Sequence, residues 1–175
     1  DLPEDDFDEE YFAMGLECYF GLWAHDPNGD GFCGDQEYAF ITREAMENGD
    51  PALFEIINGF FGEAWEYTAV LPQGFNSNFF MINQDGLDYT YRSQYLKNIE
   101  TSGDQSINFY GNDFSNQISG TNGNNTFIGY GGDDILIGAS GVDRAVYHGD
   151  YNYYAILPPA VTSDSSFQII DLYPN

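Results

Sequence analysis

Residues 111–146 read GNDFSNQIS GTNGNNTFI GYGGDDILI GASGVDRAV, four consecutive nine-residue units that each begin with glycine (Gly111, Gly120, Gly129, Gly138). Asn or Asp stands sixth (Asn116, Asn125, Asp134, Asp143) and an apolar residue eighth (Ile118, Phe127, Leu136, Ala145). A strict short period means that every unit contributes the same small piece of backbone and buries its apolar side chain against its neighbours. Glycine permits positive φ, so the first six residues are expected to turn. The last three are expected to form a short strand whose middle side chain points inward. Two units then complete one turn of a solenoid. Loops two units apart stack, the loop at Gly111 on that at Gly129 and the loop at Gly120 on that at Gly138.

The pattern resembles the nonapeptide repeat of RTX proteins, G-G-x-G-x-D-x-U-x. That resemblance implies a parallel β-roll with calcium between stacked loops, held by the sixth-position side chain and loop carbonyls. The ligands it implies are Gly111, Asp113 and Asn116 with Gly129, Gly131 and Asp134 on one edge. On the other they are Gly120, Asn122 and Asn125 with Gly138, Ser140 and Asp143. Each stacked pair joins one Asn to one Asp, and a hard cation prefers charged oxygen, so the sites are expected to be weaker than all-Asp ones. An alternative reading of the same residues is a glycine-rich solenoid stabilised by Asn side chains, with little or no metal. The resemblance extends through DGLDYTY, YLKNIE and INFY before the array and YHGDYNYYAI and FQIIDLYPN after it. Such segments flank RTX arrays in secreted bacterial enzymes and adhesins, and the similarity covers residues from about 79 to 175.

A second cation signature lies at residues 26–37, DPNGDGFCGDQE, which resembles an EF-hand loop. Asp26, Asn28 and Asp30 supply side-chain oxygens at positions one, three and five, Gly31 allows the bend at six, Phe32 offers its carbonyl at seven, and Glu37 closes the set at twelve. Helices are expected over residues 9–24 and 35–48 on either side. A second such loop is not found in the sequence, which argues against a paired sensor or a dockerin and for a structural clamp. Its affinity is expected to be about 10⁻⁴ to 10⁻³ M, as in extracellular modules.

The charge balance narrows the partners. Twenty-nine Asp and Glu against four Lys and Arg give a formal charge of −25. Compaction then works against self-repulsion that cations would offset. The four basic residues, Arg43, Arg92, Lys97 and Arg144, are scattered, so neither nucleic acid nor an anionic membrane is an expected partner. Hydrophobic residues make up 42% of the chain, enough to build a core and to set disorder aside as the cause of the acidity. No apolar run is long enough to span a bilayer, and the acidic start does not resemble a signal peptide, which suggests a mature form or an excised part.

Weak calcium sites fill at extracellular calcium levels, so an extracellular or cell-surface location is expected. Cys18 and Cys33 suit either a disulfide, which would stabilise by about 3 kcal/mol, or two buried thiols. Residues 50–70, opening on Asp50-Pro51 and carrying Leu53, Phe54, Ile57, Phe60, Phe61 and Trp65, read as a third helix. Strands are expected in FFMI, LDYTY, SINFY, the array, DYNYYAIL and SFQIID. The fold class expected is α+β, with a helical EF-hand-like region at 1–75 packed with a parallel β-roll at 76–175. Positions seven and nine of the repeats face outward and carry Ile128, Ile135, Ile137 and Val146. Such a face needs a cover, from the helical region or from a neighbouring subunit.

Catalytic signatures are lacking: the two histidines, His25 and His148, sit in no metalloprotease, nucleophile-elbow or phosphate-loop context. The sequence therefore points to a secreted, non-enzymatic, calcium-binding structural module, an assembly unit of a surface structure or filament. The alternatives are an accessory module of a larger hydrolase or adhesin, and a carbohydrate-binding module using Tyr151, Tyr153 and Tyr154. Expected partners are calcium ions, copies of the same chain or other extracellular proteins, and glycans.

Overall fold

The computed structural model describes residues 4–26, 29–33, 37–62, 67–157 and 168–172. The chain forms two compact units, Asp1–Ala145 and Val146–Asn175.

The first unit opens with three helices, α1 (Glu4–Tyr19), α2 (Arg43–Gly49) and α3 (Pro51–Phe61). Each of the latter two starts on a side-chain cap that satisfies an otherwise orphan N–H. The Thr42 hydroxyl accepts from the Ala45 N–H at 3.1 Å and Asp50 Oδ1 from the Leu53 N–H at 3.3 Å. Asp50 also gathers the region, because its Oδ2 accepts the hydroxyls of Tyr11 and Tyr38. Burial and this carboxylate together push the Tyr11 hydroxyl up to about 12. Cys18, Tyr19, Cys33, Tyr38, Met46, Leu53 and Ile57 form the helical core.

Three expectations about this region need correction. The first helix stops at Tyr19 rather than near residue 24, because Gly21 turns left-handed (φ 71°) where Tyr91 and Tyr95 crowd it. The second begins at Arg43 rather than 35, after Cys33 pairs antiparallel with Tyr38 and the Thr42 cap starts the helix. The third ends at Phe61, and residues 68–70 are already a strand; Trp65 lies outside the described residues.

The rest of this unit is a parallel roll of four turns. Its strands are β1 (Thr68–Val70), β2 (Phe79–Phe80), β3 (Asn98–Glu100), β4 (Asn108–Tyr110), β5 (Gln117–Ser119), β6 (Thr126–Ile128), β7 (Ile135–Ile137) and β8 (Arg144–Ala145). Odd strands form one sheet in the order β1-β3-β5-β7 and even strands the other, β2-β4-β6-β8. The last two turns keep a constant register, Ile118 against Leu136 and Phe127 against Ala145, two repeats apart. Earlier turns carry longer connections, including a short helix α4 (Thr90–Ser93) where LDYTY was expected to be a strand. The buried Thr90 hydroxyl fixes that turn by donating to the Leu87 carbonyl at 2.7 Å and accepting from the Gln84 N–H at 3.0 Å. Strand β1 lies before residue 76 and is the first strand of its sheet.

Inward side chains stack into a second core of Leu71, Phe79, Met81, Leu96, Ile99, Ile107, Phe109, Ile118 and Phe127. Burial fades along it: Ile118 is 0% exposed and Phe127 2%, Leu136 is half-buried and Ala145 exposed. The Arg43 guanidinium ties the helices to the roll, lying 3.9 Å from the Tyr19 ring centroid and 4.0 Å from that of Tyr95.

The second unit contains a 3₁₀ turn at Tyr151–Tyr153, capped by Asp150, and an antiparallel pair, β9 (Tyr154–Leu157) with β10 (Gln168–Asp171). The strands expected in DYNYYAIL and SFQIID fall here.

Candidate metal-binding loops

The loops of the array stack as the period requires. The Gly131 N–H donates to the Asn112 carbonyl at 3.2 Å, and fifth-position side chains continue the ladder. Ser115 Oγ accepts from the Asp133 N–H at 3.0 Å and Asn124 Oδ1 from the Val142 N–H at 2.8 Å. Sequence reasoning missed this ladder, whose only signal is the polar residue at position five of the first two repeats.

The first-position glycines serve close approach rather than a left-handed turn. A Cβ on Gly129 or Gly138 would overlap Oδ2 of Asp134 or Asp143, and one on Gly120 would overlap Asn125 Oδ1. One on Gly111 would overlap the Gly129 carbonyl. The sixth side chain therefore folds back over the start of its own loop. Left-handed residues occur elsewhere, at Tyr130 (φ 71°), Gly132 (φ 78°), Ala139 (φ 63°) and Gly141 (φ 106°), and so only in the last two repeats.

The sixth-position residues differ in how they are used. Asn116 Oδ1 accepts from the Asn112 N–H, while its Nδ2 donates to the Asn112 side chain at 3.0 Å and to the Leu96 carbonyl at 3.3 Å. Asn112 Nδ2 donates to the carbonyls of Leu96 at 2.8 Å and Gln94 at 3.1 Å. On the other edge Asn125 Oδ1 accepts from the Thr121 N–H and its Nδ2 donates to Thr121 Oγ1, whose own hydroxyl donates to the Gln105 carbonyl. All four side chains are buried. In the last two repeats the sixth residue is acceptor-only: Asp134 Oδ1 takes the Asn116 N–H and Asp143 Oδ1 the Asn125 N–H, both at 2.9 Å.

Residues 110–145 match the family model of the RTX calcium-binding nonapeptide repeat in four copies. The array is an RTX calcium-binding repeat. RTX nonapeptide repeats bind calcium and are structural rather than catalytic. Searches of curated proteins and of solved structures found no match to the chain.

Carboxylate oxygens face backbone N–H groups where the last two repeats stack on the first two. Burial pushes the Asp134 carboxyl up to about 6, the Asn116 N–H opposes this, and neighbouring Asp133 adds to it. Asp113 lies against the stacked loop at Gly131, its Oδ1 3.1 Å from where a Cβ on that glycine would stand. No three Asp, Glu, His or Cys side chains converge among the described residues, so a cation here would draw on loop carbonyls as well. Of the other residues expected to bind, Asn122 donates instead to Asp104 at 3.2 Å, and Ser140 is exposed. A bound calcium ion would supply positive charge that joins carboxylate and carbonyl oxygens of adjacent turns.

In the 26–37 loop Asp26 is left-handed (φ 44°) and its carboxylate accepts the N–H groups of Asp30 at 3.1 Å and Gly31 at 3.2 Å. This folds the loop around its first acid, with Gly31 also left-handed (φ 77°). Asp30 and Glu37 are exposed and Phe32 half-buried, while Asn28 lies outside the described residues. Cys18 and Cys33, the latter within this loop, are fully buried thiols, hydrogen-bonded to each other, and burial raises the pKa of both.

Proposed function

We propose that this chain is a secreted, non-enzymatic calcium-binding module that acts as a structural unit in the assembly of an extracellular surface structure or filament. The observation that carries the calcium reading is the acceptor-only, half-buried Asp134 in an RTX repeat, stacked on a loop two repeats earlier. Asp134 with Asp113, and Asp143 on the opposite edge, are the side chains assigned to two array sites, completed by carbonyls of the stacked loops. The loop of Asp26, Asn28, Asp30, Phe32 and Glu37 is assigned a third site, supported by the N–H groups that converge on Asp26. RTX repeats occur in secreted proteins, and a −25 charge calls for the divalent cation that extracellular fluid provides.

Calcium binds the folded form, so it couples folding to the medium. The assembly role rests on the outer face of β7, where Ile135 is 58% and Ile137 43% exposed. Apolar side chains in adjacent alternate positions favour a contact surface. Attachment to a larger secreted hydrolase or adhesin is the competing role.

Size-exclusion chromatography with light scattering, in millimolar calcium and in EDTA, separates these readings. Calcium-dependent oligomers or fibres support the assembly unit. A compact monomer in calcium that expands in EDTA supports a calcium-folded module attached to a larger protein. Identical elution in both would remove the calcium mechanism.

A further inference from the structure

The two halves of the array meet the turns before them in different ways. Between the second turn (β3, β4) and the third (β5, β6), the bridging groups are side-chain donors. Asn112 and Asn116 place Nδ2 groups on the Leu96 carbonyl, Asn112 also reaches Gln94, and Thr121 reaches Gln105. These carbonyls belong to non-repeat sequence. They receive from amides and a hydroxyl what a cation would otherwise give them, and the donors are at most 5% exposed. Buried polar groups satisfied in this way need no further partner. Between the third turn and the fourth (β7, β8) no side-chain amide of the last two repeats reaches back. Positions two are Tyr130 and Ala139, in left-handed backbone, and positions six are carboxylates.

From this contrast we infer that Asn112, Asn116, Thr121 and Asn125 form a metal-free seat in place of a calcium layer, so that the roll folds through its third turn without calcium and only the fourth turn is added by calcium. The inference rests on the calcium reading above and divides the array into a calcium-independent template and a calcium-dependent addition. It also explains which residues change together. Asn at position six goes with a hydrogen-bonding side chain at position two (Asn112, Thr121), and Asp at six stands in a loop that contains no side-chain amide.

Hydrogen exchange of the full chain, resolved by segment, tests this in millimolar calcium and in EDTA. The expected result is that amides of β3 to β6 exchange at the same slow rate in both. Those of β7 and β8 should exchange more than about tenfold faster in EDTA, as a locally unfolded segment does. The double variant Asn116→Asp, Asn125→Asp removes the Nδ2 donors and should make β5 and β6 depend on calcium too. Loss of protection in β5 and β6 of the unmodified chain to the same extent as in β7 and β8 would overturn the inference while leaving calcium binding intact. If β7 and β8 exchange identically with and without calcium, the calcium reading itself fails, and the inference with it.

Discussion

The first two repeats and the last two lie one above the other on the same roll, share a register, and handle the polar groups of their loops by opposite means. In the first pair, buried Asn and Thr side chains donate to carbonyls of the preceding turn and the apolar eighth residues are sealed in the core. In the last pair, acids accept single backbone N–H groups, four loop residues turn left-handed, and the eighth residues are half-buried or exposed. A solenoid repeat thus has two kinds of stability available at one position. An amide supplies its own donor and works in any medium, whereas a carboxylate depends on a cation from outside.

The largest effect that distinguishes the halves is a core truncation. Phe127→Ala removes a ring that is 2% exposed and stacked 5.3 Å from Phe109, and should cost about 3–5 kcal/mol in chemical denaturation. Leu136→Ala, at the half-buried end, should cost distinctly less; equal losses would mean that the fourth turn is as firmly packed as the third. Next is Gly129→Ala, whose Cβ overlaps Asp134 Oδ2. It should weaken calcium binding at that edge by tenfold or more, on the order of 1.4 kcal/mol, as read by calorimetry, and leave the opposite edge unchanged.

A smaller effect depends on pH. Asp134 has its folded pKa raised from 3.8 to about 6 in the calcium-free chain. The folded state therefore holds this proton more tightly than the unfolded one, and its contribution to stability is present below 3.8 and lost as pH rises through about 6. In EDTA, thermal melting from pH 4 to 7 should show this loss, and Asp134→Asn should flatten it. Calcium affinity should move the other way, rising with pH as the competing proton leaves. A melting profile unchanged by Asp134→Asn would place the charge penalty elsewhere. The smallest effect is on the outer face: Ile135→Ser, at a 58% exposed position, should alter folding stability by less than about 0.5 kcal/mol. It should still reduce calcium-dependent oligomers in light scattering, if that face is the contact.

The period of nine was enough to read the roll, the stacking of loops two units apart, and the inward Ile118 and Phe127. It was not enough to read where the roll begins. Strands β1 to β4 lie in sequence without the repeat, and their pairing is set by long-range packing of Phe79, Ile99 and Phe109 rather than by any local pattern. The glycine argument was right about need and wrong about cause, since Gly129 and Gly138 accommodate the sixth side chain while Gly132 and Gly141 take the positive φ. Asn112 and Thr121 went unnoticed because their partners, the carbonyls of Gln94, Leu96 and Gln105, carry no side-chain signal. The helix ends near the 26–37 loop were misplaced for a similar reason. Gly21 and Thr42 are set by contacts with Tyr95 and by a cap, and apolar periodicity ran past both.

The most direct test is calorimetric titration of calcium into the intact chain and into the Asp134→Asn, Asp143→Asn double variant. The account predicts that the variant loses the two array sites, keeps any binding at the 26–37 loop, and retains the protected third turn. Unchanged stoichiometry and affinity in the variant would contradict it.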